Sequence, residues 1–178
     1  MLFMPETKVL NIFISKPVED TTTPPAGGYN IVNPMFEINI AEVHKSKGIV
    51  GDRWYNVSQF KLPNKNLIKF KTIRNISLID MKNIKEIQKE FPQIKPIDLR
   101  RNIITENLNI NLLLNKYFKI NDVILKGVDF CKGCKHLEEY TKCDGIIKVL
   151  LDHGGIRAEV VEGGTIKIND KINILKNA

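Results

Sequence analysis

Turn signals recur at short intervals along this chain of 178 residues, and they limit what it can fold into. Asn121-Asp122 separates the apolar runs 116–120 and 123–127, which read as a hairpin. Glu162-Gly163-Gly164 separates 156–161 from 165–168, which read as a second pair, and Asn169-Asp170 leads into a last strand at 171–175. Earlier, 9–15 and 75–79 read as strands, and Phe36, Ile38 and Ile40 alternate with Glu37 and Asn39 as a half-buried strand does. Helical signals are few. Asp80 is placed to cap a helix whose Met81, Ile84, Ile87 and Phe91 share one face, with Pro92 as its stop. Residues 111–114 read as a helical turn and 137–141 as a short helix. Residues 145–153 read as a helix capped by Asp144 and stopped by Gly154. Parallel β-α-β units are not evident. The fold class is mostly β with short helices, an antiparallel β-barrel with helical insertions. The polar stretches 16–29 and 56–71 read as a loop and a connection, and neither divides 1–178 into two domains.

Reactive groups concentrate in Asp129-Phe130-Cys131-Lys132-Gly133-Cys134-Lys135-His136. The six residues from Cys131 to His136 hold two thiols, two lysines and an imidazole. A thiolate, not a thiol, does cysteine chemistry, and nearby positive charge or a helix N-terminus favours it. Lys132, Lys135 and the helix predicted at 137–141 all act in that direction. Three chemistries fit the local residues. Cys131, Cys134 and Cys143 could join His136 or His153 in a zinc or iron–sulfur site. A thioredoxin-like dithiol also fits locally, but the β-α-β unit that precedes such a motif is missing. A single working thiolate is the third, as nucleophile, sulfur carrier or metal ligand. The plain structural reading is that the cysteines are small buried hydrophobes.

Three cysteines is an odd count in a chain too large to need disulfide staples, which points to free thiols in a reducing cytoplasm. No signal peptide is predicted, because the first residues lack a basic region and a long apolar core. No apolar run reaches the length of a membrane span. The net charge of +7 comes mostly from lysines spread along the chain. With 7% aromatics, a surface that stacks single-stranded nucleic acid is not expected. A small anion is the better partner. Arg100 and Arg101 lead into an apolar strand, where neighbours point to opposite faces. One guanidinium should then face inward and need an acceptor, either a buried carboxylate or a bound phosphate or carboxylate. Gly48 and Gly51 allow a bend that presents Asp52 and Arg53, as a plain turn with an Asp–Arg ion pair or as part of a site.

Four motifs occur in order: Gly48-Ile49-Val50-Gly51-Asp52-Arg53, Arg100-Arg101-Asn102-Ile103-Ile104-Thr105, Cys131-x-x-Cys134-x-His136-Leu137-Glu138, and Gly154-Gly155-Ile156-Arg157-Ala158 with Gly163-Gly164-Thr165-Ile166. Together, over roughly 8–175, they resemble the small stand-alone bacterial or archaeal members of the MOSC family, named for the C-terminal domain of molybdenum cofactor sulfurase. The resemblance implies a single MOSC domain with a β-barrel core. It implies a molybdenum-pterin cofactor or a related sulfur-bearing anion. Cys134 becomes the persulfide carrier or molybdenum ligand, with Cys131 assisting or resolving it. Arg53, Arg100, Arg101, Asn102, His136 and Arg157 become the cofactor-binding residues. Trp54 stands where many relatives carry histidine. Sulfurases carry a pyridoxal-phosphate desulfurase domain that this chain lacks, so the pyridoxal phosphate belongs to a separate partner, a cysteine desulfurase, and a molybdoenzyme is the other expected partner. The alternative is a non-catalytic module whose CxxC segment binds zinc or an iron–sulfur cluster.

Overall fold

The computed structural model describes residues 6–16, 34–57, 59–61, 67–69 and 75–175. The first strands are β1 (Lys8–Ser15), β2 (Met35–Ile38), β3 (Ile40–His44) and β4 (Gly48–Ile49). A two-stranded ribbon follows, β5 (Gln59–Lys61) with β6 (Leu67–Lys69), inside the stretch read as a connection. Most of the loop expected at 16–29 lies outside the described residues. Next come β7 (Ile76–Asp80), helix α1 (Met81–Glu90), a 3-10 turn (Pro96–Leu99), β8 (Ile103–Glu106) and a second 3-10 turn (Ile110–Leu113). The chain ends with β9 (Tyr117–Ile120), β10 (Val123–Phe130), α2 (Lys135–Thr141), α3 (Ile146–His153), β11 (Ile156–Glu162), β12 (Gly164–Lys167) and β13 (Ile172–Ile174). No helix among the described residues is long and apolar enough to cross a membrane.

No closed barrel is found among the described residues. The large sheet has eight strands in the order β13-β9-β10-β11-β7-β8-β1-β2, so its ladder has two ends, and a second sheet holds β12-β3-β4. β1 pairs with β8 along one edge and spends its other edge on β2 from Ile12 to Ser15. Only its start is left for the far end of the sheet. There Lys8 bridges Lys171, Val9 N donates to Asp170 O at 3.0 Å, and Asn169 N donates to Val9 O at 2.8 Å.

Alternation in the strands separates two cores. Ile12, Leu78 and Ile103 join Phe118, Leu125 and Ile156 in one cluster. Their neighbours Phe13, Ile79 and Ile104 point the other way and are covered by Ile84 and Ile87 of α1, Ile146 and Leu150 of α3, and Leu99. Each fully buried Ile, Leu or Phe contributes about 1.5–3 kcal/mol, so truncating Ile79 to Ala would cost about 2–5 kcal/mol.

Four further sequence expectations change. First, β7 and β8 run parallel, Leu78 opposite Ile103 and Ile79 opposite Ile104, joined through α1. A parallel pair requires such a crossover, and both strands are apolar on both faces because they carry both cores. Second, the strands around Gly163-Gly164 do not pair with each other; β11 pairs with β10 and β7, and β12 with β3. A Cβ on Gly163 would lie 2.5 Å from Val43 O. The glycine therefore lets the chain pass close over β3 into the second sheet. Third, Ile40 is 57% exposed, and the chain breaks at Asn39 between strands of different sheets. Fourth, Asp144 does not cap α3. Gly145 takes that place at φ 85°, and Glu138 accepts its N–H. Asp80 does cap α1, accepting from Lys82 N at 2.9 Å.

Candidate functional site

The cysteine segment leaves β10 and enters α2. Cys131 is buried, and its N–H donates to Gly155 O at 2.8 Å. Gly154 allows that approach, because a Cβ there would lie 2.2 Å from Cys131 O. Gly133 presses on α3; its Cβ would lie 2.8 Å from Leu150 Cδ1 and 3.2 Å from Ile147 Cα. With the segment pinned at both points, Cys134 is left exposed as the N-cap of α2. Lys135 pairs with Glu138 at 3.6 Å, and His136 Nδ1 lies 3.8 Å from Glu139 Oε2.

The adjacent arginines divide their roles. All three nitrogens of the Arg101 guanidinium donate to backbone carbonyls: Nε to Gly154 at 2.8 Å, Nη1 to Leu99 at 2.7 Å and Nη2 to Cys131 at 2.9 Å. Arg101 therefore ties the cysteine segment to the loop before α3's following strand and to its own turn. Arg100 adopts the left-handed conformation, φ 59°, at the end of the 3-10 turn. Its guanidinium carbon lies 5.5 Å from the centroid of the Tyr140 ring. Burial pushes Arg100 below its ordinary value, opposed by Tyr140, Asp52 and Cys134.

Asp52 is 2% exposed. Ser15 N donates to its Oδ1 and Trp54 N to its Oδ2, each at 3.0 Å. Burial raises its pKa to about 6, against the lowering effects of those amides, of Arg100 and of the Asn102 side chain. Asn102 is itself fastened: its Oδ1 accepts from Ser77 N at 3.0 Å and Ser77 Oγ at 2.9 Å, and its Nδ2 donates to Phe13 O at 3.2 Å. The ion pair expected between Asp52 and Arg53 does not form. Arg53 is 8% exposed, and its Nε and Nη1 find no acceptor among the described residues.

Arg157 is engaged elsewhere. It faces Asp129 at 3.6 Å, donates from Nη1 to Phe130 O at 3.1 Å, and lines a surface cavity with Lys132. The ligand set of the zinc or iron–sulfur alternative is not assembled: among the described residues no three His, Cys, Asp or Glu side chains group to hold a metal. Cys143 is buried, with Gln93 Nε2 donating to its sulfur at 3.0 Å.

A family model described as MOSC domain matches residues 65–173. The chain belongs to the MOSC domain family. A search of curated proteins finds no match. Among solved structures, this MOSC domain is similar to the YuaD protein from Bacillus subtilis, at 15% identity over 96% of each chain, with a TM-score of 0.70. It is also similar to YiiM from Geobacillus stearothermophilus, at 10% identity over 96% of this chain and 75% of that one, TM-score 0.67. YiiM from Escherichia coli is 11% identical over 94% and 70%, TM-score 0.61. At these identities the likeness is one of fold.

The family's association with molybdenum cofactor can be tested on the residues of this MOSC domain. An anionic cofactor needs donors not already taken, and a buried guanidinium with two open nitrogens is such a donor set. A thiolate is a soft ligand suited to sulfur and metal chemistry, and Cys134 is the exposed one of three. The residues fit. Tyr140 was missed in the sequence, where nothing distinguishes it from any exposed helical aromatic.

Proposed function

We propose that this MOSC domain binds the molybdenum-pterin cofactor or a related sulfur-bearing anion, with Cys134 as its working thiol. The observation that supports this most directly is the exposed Cys134 at the N-cap of α2, within electrostatic range of Arg100, whose guanidinium carbon lies 5.5 Å from the Tyr140 ring centroid. The cofactor, when bound, supplies a molybdenum centre that takes sulfur ligands. Cys134 is the molybdenum ligand or the sulfur carrier. As a carrier, its thiolate attacks the outer sulfur of a donor persulfide. The donor's S–S bond breaks, the donor cysteine leaves as thiolate, and Cys134 keeps the transferred sulfur. Arg100 offsets the negative charge at that atom, and Arg53 offers its open nitrogens to an anion. Asn102 positions Asp52, and Arg101 with Cys131 positions the segment. His136 borders the thiol from the first turn of α2. We assign the work to the cytoplasm, with a cysteine desulfurase or a molybdoenzyme as partner.

The deciding experiment is metal, pterin and labile-sulfur analysis of the protein purified from a host that makes molybdenum cofactor. Near-stoichiometric molybdenum and pterin, lost in Cys134→Ser, identify the ligand role. Cyanide-labile sulfur on Cys134 identifies the carrier role. Zinc or iron in their place, or none of these, overturns the proposal.

A further inference from the structure

We propose a second ligand site, for a small carboxylate with a flat apolar body, in the cavity beside β10 where Arg157 and Lys132 meet. The cavity is a shallow surface cleft of about 390 Å³, at the small end of the range for ligand sites. Three independent departures from regular structure build it. The pairing of β10 with β11 passes from Gly127 opposite Ala158 to Asp129 opposite Arg157, leaving Val128 as an extra residue. Such an insertion re-aims side chains, and here it puts both Val128 and Asp129 on the cavity wall. Gly127 lets the segment before β9 lie against the strand, since a Cβ there would sit 2.1 Å from Leu113 O. Asn115 N then donates to Gly127 O at 2.9 Å, and Asn115 takes φ 58°, which brings its amide to the rim.

The chemistry of the walls selects the ligand. Leu114, Val128 and Phe130 supply apolar surface, and the Phe130 ring is 37% exposed there. Charge is Lys132 and Arg157 against Asp129 alone, a net of one positive charge. Arg157 uses Nη1 on Phe130 O and Asp129, and its other nitrogens have no partner among the described residues. Lys132 has no ion pair among the described residues, and its side chain is exposed. None of the residues lining the cavity belongs to the group around Arg100, so this site does not depend on the cofactor reading. It sits at the base of the cysteine segment, where a ligand touching Lys132 would be two residues from Cys134.

Benzoate and its neutral counterpart benzamide are the probes, titrated into the whole protein while backbone amide NMR signals are followed. Benzoate should saturate in the millimolar range and move the signals of Asn115, Phe130 and Arg157, while benzamide binds about tenfold more weakly. Binding should weaken as salt rises. Arg157→Gln and Lys132→Met should each weaken benzoate severalfold, while Cys134→Ser should leave it unchanged. Equal binding of the two probes, unmoved signals at those residues, or unchanged affinity in both charge variants would overturn the site. Absence of molybdenum, pterin and labile sulfur from the purified wild-type protein, with benzoate binding intact, would fail the cofactor proposal and leave this one standing.

Discussion

Arg100 and Arg101 are chain neighbours, both nine-tenths buried, and they sit in opposite kinds of surroundings. Around Arg101 every guanidinium nitrogen meets a backbone carbonyl, so the charge is fully committed to geometry. Around Arg100 the charges felt by the guanidinium come from side chains that can change state: a carboxyl whose pKa is near 6, a phenol and an exposed thiol. The difference teaches that burial alone does not mark a functional arginine. The role proposed for Arg100 rests instead on neighbours that can titrate or react.

The comparison breaks most easily at Arg101. Arg101→Ala would strand three carbonyls and release Cys131, costing about 4 kcal/mol, which lowers Tm by roughly 10 °C in a domain of this size. Differential scanning calorimetry reads this. A variant that melts like the wild type and loses only an anion would make Arg101 a ligand-binding residue after all.

At Asp52 the expected effect is a pH slope. The folded carboxyl holds its proton up to about pH 6 against an ordinary value of 3.8. Stability from this group is therefore fully present below the ordinary value and is lost as pH rises through about 6, a change of about 3 kcal/mol. Denaturant titrations between about pH 4 and pH 7 should show the wild type losing that much more than Asp52→Asn. Parallel profiles would place the Asp52 proton elsewhere.

Cys134→Ser sharpens the contrast from the other side. An exposed N-cap thiol replaced by another short polar group should shift Tm by no more than about 2 °C. Alkylation at neutral pH, read by peptide mapping, should label Cys134 ahead of the buried Cys131 and Cys143. Labelling of Cys143 first would remove the basis for naming Cys134. The smallest effect belongs to Tyr140. Tyr140→Leu removes a cation–π contact at a half-exposed ring, worth about 0.5–1 kcal/mol, and equilibrium unfolding should register no more than that.

Much of the local structure was legible in the sequence. The hairpin across Asn121-Asp122 forms as its spacing indicates, with Val123 opposite Ile120. The cap at Asp80 and the stripe Ile84, Ile87 on α1 also follow from residues next to one another. The candidate site was legible in part: Cys134 lies at a helix start, and Arg53, Arg100 and Asn102 lie near or join the Asp52 group. Arg157 faced another cavity because its outward position is set by strand register, which depends on the partner strand.

By itself the sequence determined what depends on short range: turn residues, caps, apolar periodicity, and the grouping of thiols and cations between Cys131 and His136. Only the tertiary structure decided which strands pair, that β7 and β8 run parallel, that the ladder stays open, and which arginine meets carbonyls and which meets Asp52. The physical reason is that hydrogen-bond partners more than a few residues apart are chosen by competition among all edges and donors in the folded chain. Gly154, Gly155 and Gly163 show this, since each owes its place to a backbone oxygen distant in sequence that would lie 2.1–2.5 Å from an added Cβ.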